Sequence, residues 1–242
     1  MRLQAFAVLA APLLLIATAA ASAPRHNLVI FVPDGLRAGM VTPEHAPTMA
    51  ALRDKGVAFP NSHSLFPTFT TVNAASIATG HLPGDTGDFG NTIYAGFPVP
   101  GAGKSVTPFL ESDPVLGDVD EHFAGDYLDE ATLLALARAA GFSTAAIGKL
   151  GPVLIFDHTE RSGQQTVILD DQTGSKNGIP LAPWLTEAID KAGLPPAPPG
   201  RGDNGKSGDA VTPGTHSANW AQQNWFVSVM TEVVLPHFKA AD

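Results

Sequence analysis

Residues 26–35 read HNLVIFVPDG. The first seven are an unbroken, β-rich apolar run, the pattern of a strand buried on both faces of a parallel sheet, and Pro33-Asp34-Gly35 stops it. Working outward, residues 47–55 predict a helix with Pro47 in its first turn and Gly56 just past its end. Residues 57–65 are a candidate second strand. A helix is expected from Thr70 or Thr71 to Thr79, stopped by Gly80, and a looping stretch from 81 to about 125. Residues 129–140 read as a helix with Asp129 as cap, an Ala/Leu body and Gly141 as terminator. Short strands are expected at 142–147, 153–156 and 166–169, and a helix at 183–191. Residues 194–215, rich in Pro and Gly, predict a surface loop. Ser217 then caps a helix whose Ala221, Trp225, Val229 and Val233 share one face, with Pro236 ending or kinking it. Strands alternating with helices predict an α/β fold with a mostly parallel central sheet flanked by helices.

The chain has 242 residues, 14 basic and 23 acidic side chains and no cysteine. That length suits one domain with a core large enough to fold without staples. The missing cysteines exclude disulfides, thiolate metal sites and a cysteine nucleophile. A net charge of −9 argues against a protein that grips duplex nucleic acid through its phosphates. Arg2, the apolar run 5–19 and the small residues around Ala21 have the layout of a secretory signal peptide cut after Ala21. The expectation is an exported, periplasmic or secreted chain with one domain over residues 22–242. No later segment approaches a membrane span.

Two positions carry candidate chemistry. Open α/β sheets bind ligands beyond the carboxyl ends of their strands, where Asp34 stands. It is either an ordinary Pro-Asp-Gly turn residue or a hard oxygen ligand for a metal. Thr70 stands at a loop-to-helix junction in FPTFTT, residues 66–71. A hydroxyl there either caps the helix or sits where free N–H groups and the helix dipole make a phosphate site. As a nucleophile it needs a base or metal to take its proton.

Residues 27–35, then APTMAALRDKGVAF, then FPTFTTVNAASIATGHLPGDTG and Asn91, resemble the type I phosphodiesterase/nucleotide pyrophosphatase branch of the alkaline phosphatase superfamily. The resemblance implies an alkaline-phosphatase-like α/β fold and an exported, metal-dependent phosphoric ester hydrolase. Its implied cofactor is zinc, two ions in a complete member, and its implied substrate a small phosphate ester or nucleotide. Asp34 would be a zinc ligand. Thr70 would be the nucleophile, sharing that zinc and passing through a phospho-threonine intermediate, and Asn91 would help hold the phosphoryl oxygens. The family's TG-x-x-P-x-x-x-G is matched by Thr79, Gly80, Pro83 and Gly87.

Three departures stand beside this. Thr71 replaces the aromatic residue common after the nucleophile, and Thr86 replaces a histidine. The downstream Asp-x-x-x-His, Asp-His and final His ligands are not placed: Asp118/His122 come too early, and Asp157-His158 come in the wrong order, so solvated loop residues are the blander reading. The resemblance therefore implies the front part of a longer enzyme. Two alternatives remain: a truncated or degenerate member without turnover, and a phosphomonoesterase or phosphonate hydrolase on the same scaffold. Residues 101–105, GAGKS, lack the leading glycine of a P-loop because Pro98 stands there, and no G-x-S-x-G or G-x-G-x-x-G occurs. Arg201-Gly202-Asp203 reads as chance. Trp184, Trp220 and Trp225 are expected to pack in the core.

Overall fold

A computed structural model describes residues 27–200 and 218–241 of the chain. The expected export signal, the Arg201–Asp203 triplet and the expected cap Ser217 lie outside the described residues. The chain divides into two units, Met1–Asn61 and Ser62–Asp242.

In the first unit a turn closes at Pro33-Asp34-Gly35, with the Leu36 N–H donating to the Pro33 carbonyl at 3.3 Å. A short 3₁₀ turn, Ala38–Met40, leads to helix α1, Pro47–Lys55. Pro47 gives up no needed N–H at the first turn, and Arg53 and Lys55 complement the negative end of the helix dipole. The run 27–32 is not a strand, which corrects the sequence reading. It forms no ladder, and Leu28 and Phe31 are 72% and 73% exposed. An apolar β-rich run becomes a strand only when a neighbouring segment takes its N–H and C=O groups, and none does among the described residues. Residues 57–65 are likewise irregular.

The second unit is built around helix α2, Thr70–Thr79, with Gly80 just past its end as expected. Helix α3, Pro83–Thr86, and helix α4, Asp113–His122, lie inside the stretch read as loop. The surrounding Gly and Pro residues hid both, although each carries Pro at its first or second position, an ordinary helix start. Helix α5 runs Leu133–Ala139. Its cap is Thr132, whose hydroxyl accepts the Ala135 N–H at 3.3 Å; the expected cap, Asp129, instead donates its N–H to the Thr86 carbonyl. Strand β1, Thr144–Ile147, follows, then α6, Pro152–Ile155, strand β2, Thr166–Leu169, and α7, Pro183–Lys191. Residues 153–155 are thus helical rather than extended, with Phe156 capping the turn. Pro152 opens that turn, and Val153, Leu154 and Ile155 are all buried.

β1 and β2 pair in parallel, Thr144 opposite Thr166 and Ile147 opposite Leu169, and form the only sheet among the described residues. The fold is α/β, with the expected parallel sheet present as two strands. β2 is buried on both faces. Ile168 enters a core shared with Ala74, Ala75 and Ala78 of α2, Leu116 of α4 and Leu154 of α6. Val167 and Leu169 enter a second core with Leu185 and Ile189 of α7 and the C-terminal helix. Each fully buried Leu or Ile side chain contributes about 1.5–3 kcal/mol.

That last helix is α8, Trp220–Ser228, a π-helical turn, Val229–Val234, and α9, Leu235–Ala241. Asn219 caps it, accepting the Gln222 N–H at 3.3 Å. Trp225, Val229 and Val233 are buried as the spacing predicts, whereas Ala221 is exposed. Pro236 neither ends the helix nor leaves it regular. It lacks an N–H, its ring crowds the preceding turn, and the widened π turn lies directly before it. Trp225 donates its indole N–H to the Pro195 carbonyl at 2.8 Å, and Trp184 stacks on His237 at 3.7 Å. Trp220, expected in the core, is 74% exposed.

Candidate functional site

Helix α2 begins at Thr70 itself; the cap position falls to Phe69, which contributes no side-chain hydrogen bond. Thr70 is half-buried, and among the described residues nothing holds its hydroxyl. The capping alternative for that hydroxyl is therefore not what the geometry shows. No protein acceptor takes the Thr70 N–H among the described residues either. A ten-residue helix with a free first-turn N–H and the positive end of its dipole here favours an anion beside the Thr70 alcohol.

The loop before Thr70 is tied down from within α2. Asn73 accepts the Leu65 N–H at 2.8 Å through its side-chain oxygen and donates its amide to the Phe69 carbonyl at 2.9 Å. These two bonds fix the chain on both sides of the Phe66–Pro67 dipeptide.

Thr71 does the opposite of Thr70. It is fully buried, and its hydroxyl donates to Asp88 Oδ1 at 3.1 Å. Asp88, 2% exposed, also accepts the Gly90 N–H at 3.1 Å and the Tyr127 hydroxyl at 2.6 Å. Burial pushes the Asp88 carboxyl above its ordinary range, and the Tyr127, Gly90 and Thr71 donors pull against that shift. Burial beside Asp88 also pushes the Tyr127 hydroxyl well above its usual value. The small polar residue at 71, a departure from the resembled pattern, has a physical use: it supplies a donor to a buried carboxylate.

The Asp88–Gly90 turn delivers Asn91 to the start of α2. Asn91 Oδ1 accepts the Thr71 N–H at 3.0 Å, and its amide nitrogen donates to Glu111 Oε1 at 3.1 Å. An N–H on one side and an acceptor-only carboxylate on the other leave one amide orientation, and the second amide hydrogen remains available. Glu111 is in turn paired with Lys149. Gly151, at φ 92°, makes room for this pair, since a Cβ there would lie 2.9 Å from Glu111 Cα.

Thr70 and Asn91 thus belong to one unit, with Asn91 held on the N–H of the next residue, Thr71. Asp34 is exposed on its turn and belongs to the other unit. The Thr79–Gly87 motif shapes the chain: Thr79 returns its hydroxyl to the Ala75 carbonyl, and Gly80 and Gly87 end α2 and α3. Of the residues around the site, Asp88 was readable as an Asx-turn former ahead of Gly90. Glu111 and Lys149 carry no local signal at all.

Of the two secondary metal candidates, Asp157-His158 is buried rather than solvated, and Asp118/His122 lies on helix α4 with His122 exposed. Asp157 is fully buried and receives the Arg138 guanidinium at 2.8 and 3.1 Å and the Thr166 hydroxyl at 2.6 Å. The hydrogen bond to Asp157 raises the Arg138 pKa. His158, also buried, meets Asp120 at 2.8 Å, and Arg161 pairs with the other Asp120 oxygen. Burial alone would raise the Asp120 carboxyl, but the bonds from His158 and Arg161 outweigh it and hold the pKa below the ordinary value. Asp118 accepts the Gly101 N–H, while His122 stacks on Phe97 at 3.6 Å.

A catalytic zinc keeps three protein ligands and an open position. Among the described residues no group of three His, Cys, Asp or Glu comes together, so these residues do not complete such a site. Nor is any helix among them long and apolar enough to cross a membrane.

Neither curated proteins nor solved structures gave a match to the sequence. The family model for type I phosphodiesterase / nucleotide pyrophosphatase matches residues 28–224, a span that contains Asp34, Thr70 and Asn91. With most of its length inside that match, and with an alcohol and an amide assembled at the start of α2, the chain belongs to the type I phosphodiesterase/nucleotide pyrophosphatase family.

Proposed function

We propose that this member of a family of phosphodiesterase/pyrophosphatase-type hydrolases cleaves small phosphoric esters or nucleotides with Thr70 as the nucleophile. The observation that carries the reading is the contrast between two adjacent threonines: the Thr71 hydroxyl is spent on Asp88, while the Thr70 hydroxyl is free at the helix N-terminus. In the proposed step the Thr70 oxygen bonds to phosphorus in line as the bond to the leaving alcohol breaks. Water then cleaves the phospho-threonine. The free Thr70 N–H and the spare Asn91 amide hydrogen are donors for the non-bridging oxygens, whose charge needs fixed dipoles.

Metal dependence belongs to the same proposal. A divalent ion such as zinc, when bound, would supply charge neutralisation at the phosphoryl group and lower the pKa of an alcohol beside it. Export is a further part of it, read from residues 1–21. N-terminal sequencing of the chain from a periplasmic fraction should begin at Ser22.

The test is hydrolysis of bis(p-nitrophenyl) phosphate by the full chain supplied with zinc. Thr70→Ala should abolish turnover, and Asn91→Ala should reduce it by about 10²–10³, the usual loss on removing one oxyanion donor. Undiminished cleavage by Thr70→Ala ends the proposal.

A further inference from the structure

A pair of buried carboxylates lies at the carboxyl end of β2. Asp170 follows that strand directly and is 1% exposed. Its Oδ1 accepts the Gln172 N–H at 2.8 Å and its own N–H donates to the Thr173 hydroxyl at 2.8 Å, so the turn fixes the carboxyl group. Its Oδ2 is buried and has no donor. Asp113, first residue of α4, is 3% exposed, and neither of its carboxyl oxygens meets a donor. The group that faces it is the Asp170 carboxyl, near enough for a hydrogen bond between the two once one is protonated.

Three buried oxygens without donors are costly, since buried polar atoms are nearly always satisfied. Asp113 also lines an open pocket with Asp118, Glu121, Arg161 and Asn177. Arg161, the cation among them, is already paired with Asp120. Asp171 adds a further negative charge beside the pair, with its Oδ2 turned to the Leu150 N–H at 2.7 Å. The wall of the pocket is fixed by Gly178, where a Cβ would lie 2.2 Å from the Gln172 carbonyl oxygen.

We propose that Asp113 and Asp170 bind a divalent cation of the calcium class, with Asp113 bidentate, Asp170 monodentate through Oδ2, and water completing the shell. Calcium accepts carboxylates in both modes and tolerates irregular oxygen geometry. No nitrogen or sulfur donor stands in the pair, which disfavours zinc. The competing arrangement is a proton shared between the two acids, which satisfies two of the three oxygens and leaves one bare. Without a cation, burial and the facing Asp170 charge push the Asp113 carboxyl up to about 8, and burial with the Asp171 charge pushes the Asp170 carboxyl upward too. The helix N-terminal position of Asp113 favours its ionised form. The proposal is independent of the Thr70 chemistry.

The experiment uses the full chain, stripped with EGTA, saturated with zinc and titrated with calcium chloride. Isothermal titration and terbium luminescence should report one site. Melting temperature should rise with calcium in wild type and equally in Thr70→Ala. Asp113→Asn and Asp170→Asn should each weaken calcium binding at least tenfold, while Asp118→Asn should not. Absence of any calcium-dependent heat or melting shift in wild type at millimolar calcium overturns the proposal whatever the variants do. So does calcium binding that survives in Asp113→Asn, or a ¹³C carboxyl titration showing one proton shared by the pair in the presence of calcium.

Discussion

Replacing the two neighbouring threonines should separate stability from catalysis. Thr71→Val keeps the shape of a fully buried side chain but removes its hydroxyl, leaving Asp88 with the Gly90 and Tyr127 donors. A hydrogen bond to a charged acceptor contributes about 1.5–3 kcal/mol, so the variant should lose about 2 kcal/mol. For a chain of this size that is a fall in melting temperature of about 4–8 °C. Thr70→Ala removes a half-buried hydroxyl that nothing holds, and should change stability by no more than about 0.5 kcal/mol. Catalysis should reverse the order. Asn91 is held by the Thr71 backbone N–H, which valine retains, so Thr71→Val should keep its activity while Thr70→Ala loses it. Urea unfolding at pH 7, paired with hydrolysis of bis(p-nitrophenyl) phosphate, measures both. Equal destabilisation by the two substitutions, or activity lost in Thr71→Val and kept in Thr70→Ala, would refute the division of roles.

Gly151→Ala should move Glu111, because the new methyl would lie 2.9 Å from its Cα at a positive φ. Activity should fall severalfold through the displaced Asn91, with a stability loss of about 1–3 kcal/mol, both read from kinetics and melting of the same preparation. Asp120→Asn breaks a buried pairing with His158 and Arg161 and should cost about 3–5 kcal/mol at pH 7. Because the folded Asp120 pKa is depressed, its contribution is present above about pH 4 and lost as pH falls through the folded value. Urea curves of wild type and variant should accordingly converge in acid. Arg138→Met strands the fully buried Asp157 with the Thr166 hydroxyl as its remaining donor, and should destabilise by about 3–5 kcal/mol. Metal content, measured by plasma emission, should not change, since Asp157 serves a salt bridge.

Helices α1 and α7 were legible to the residue, and the end of α2 with them, because their boundaries are written locally, by Pro at the start of α1 and α7 and by Gly or a capping turn at the end. The same holds for β2, a short β-branched run. The run 27–32 shows where local reading stops. Its residues favour a strand, but strand formation depends on partners distant in the chain, which composition does not reveal. Burial of charge was equally hidden: Asp157 and His158 read as loop residues until Arg138, Thr166 and Asp120 came together around them from 9 to 38 positions away. The same limit applies to Glu111, which orients Asn91, and to the Asp113–Asp170 pair. Backbone punctuation acts over a few residues and is readable in one dimension. The field and the hydrogen bonds at a side chain depend on packing between remote segments, and exist only once the chain has folded.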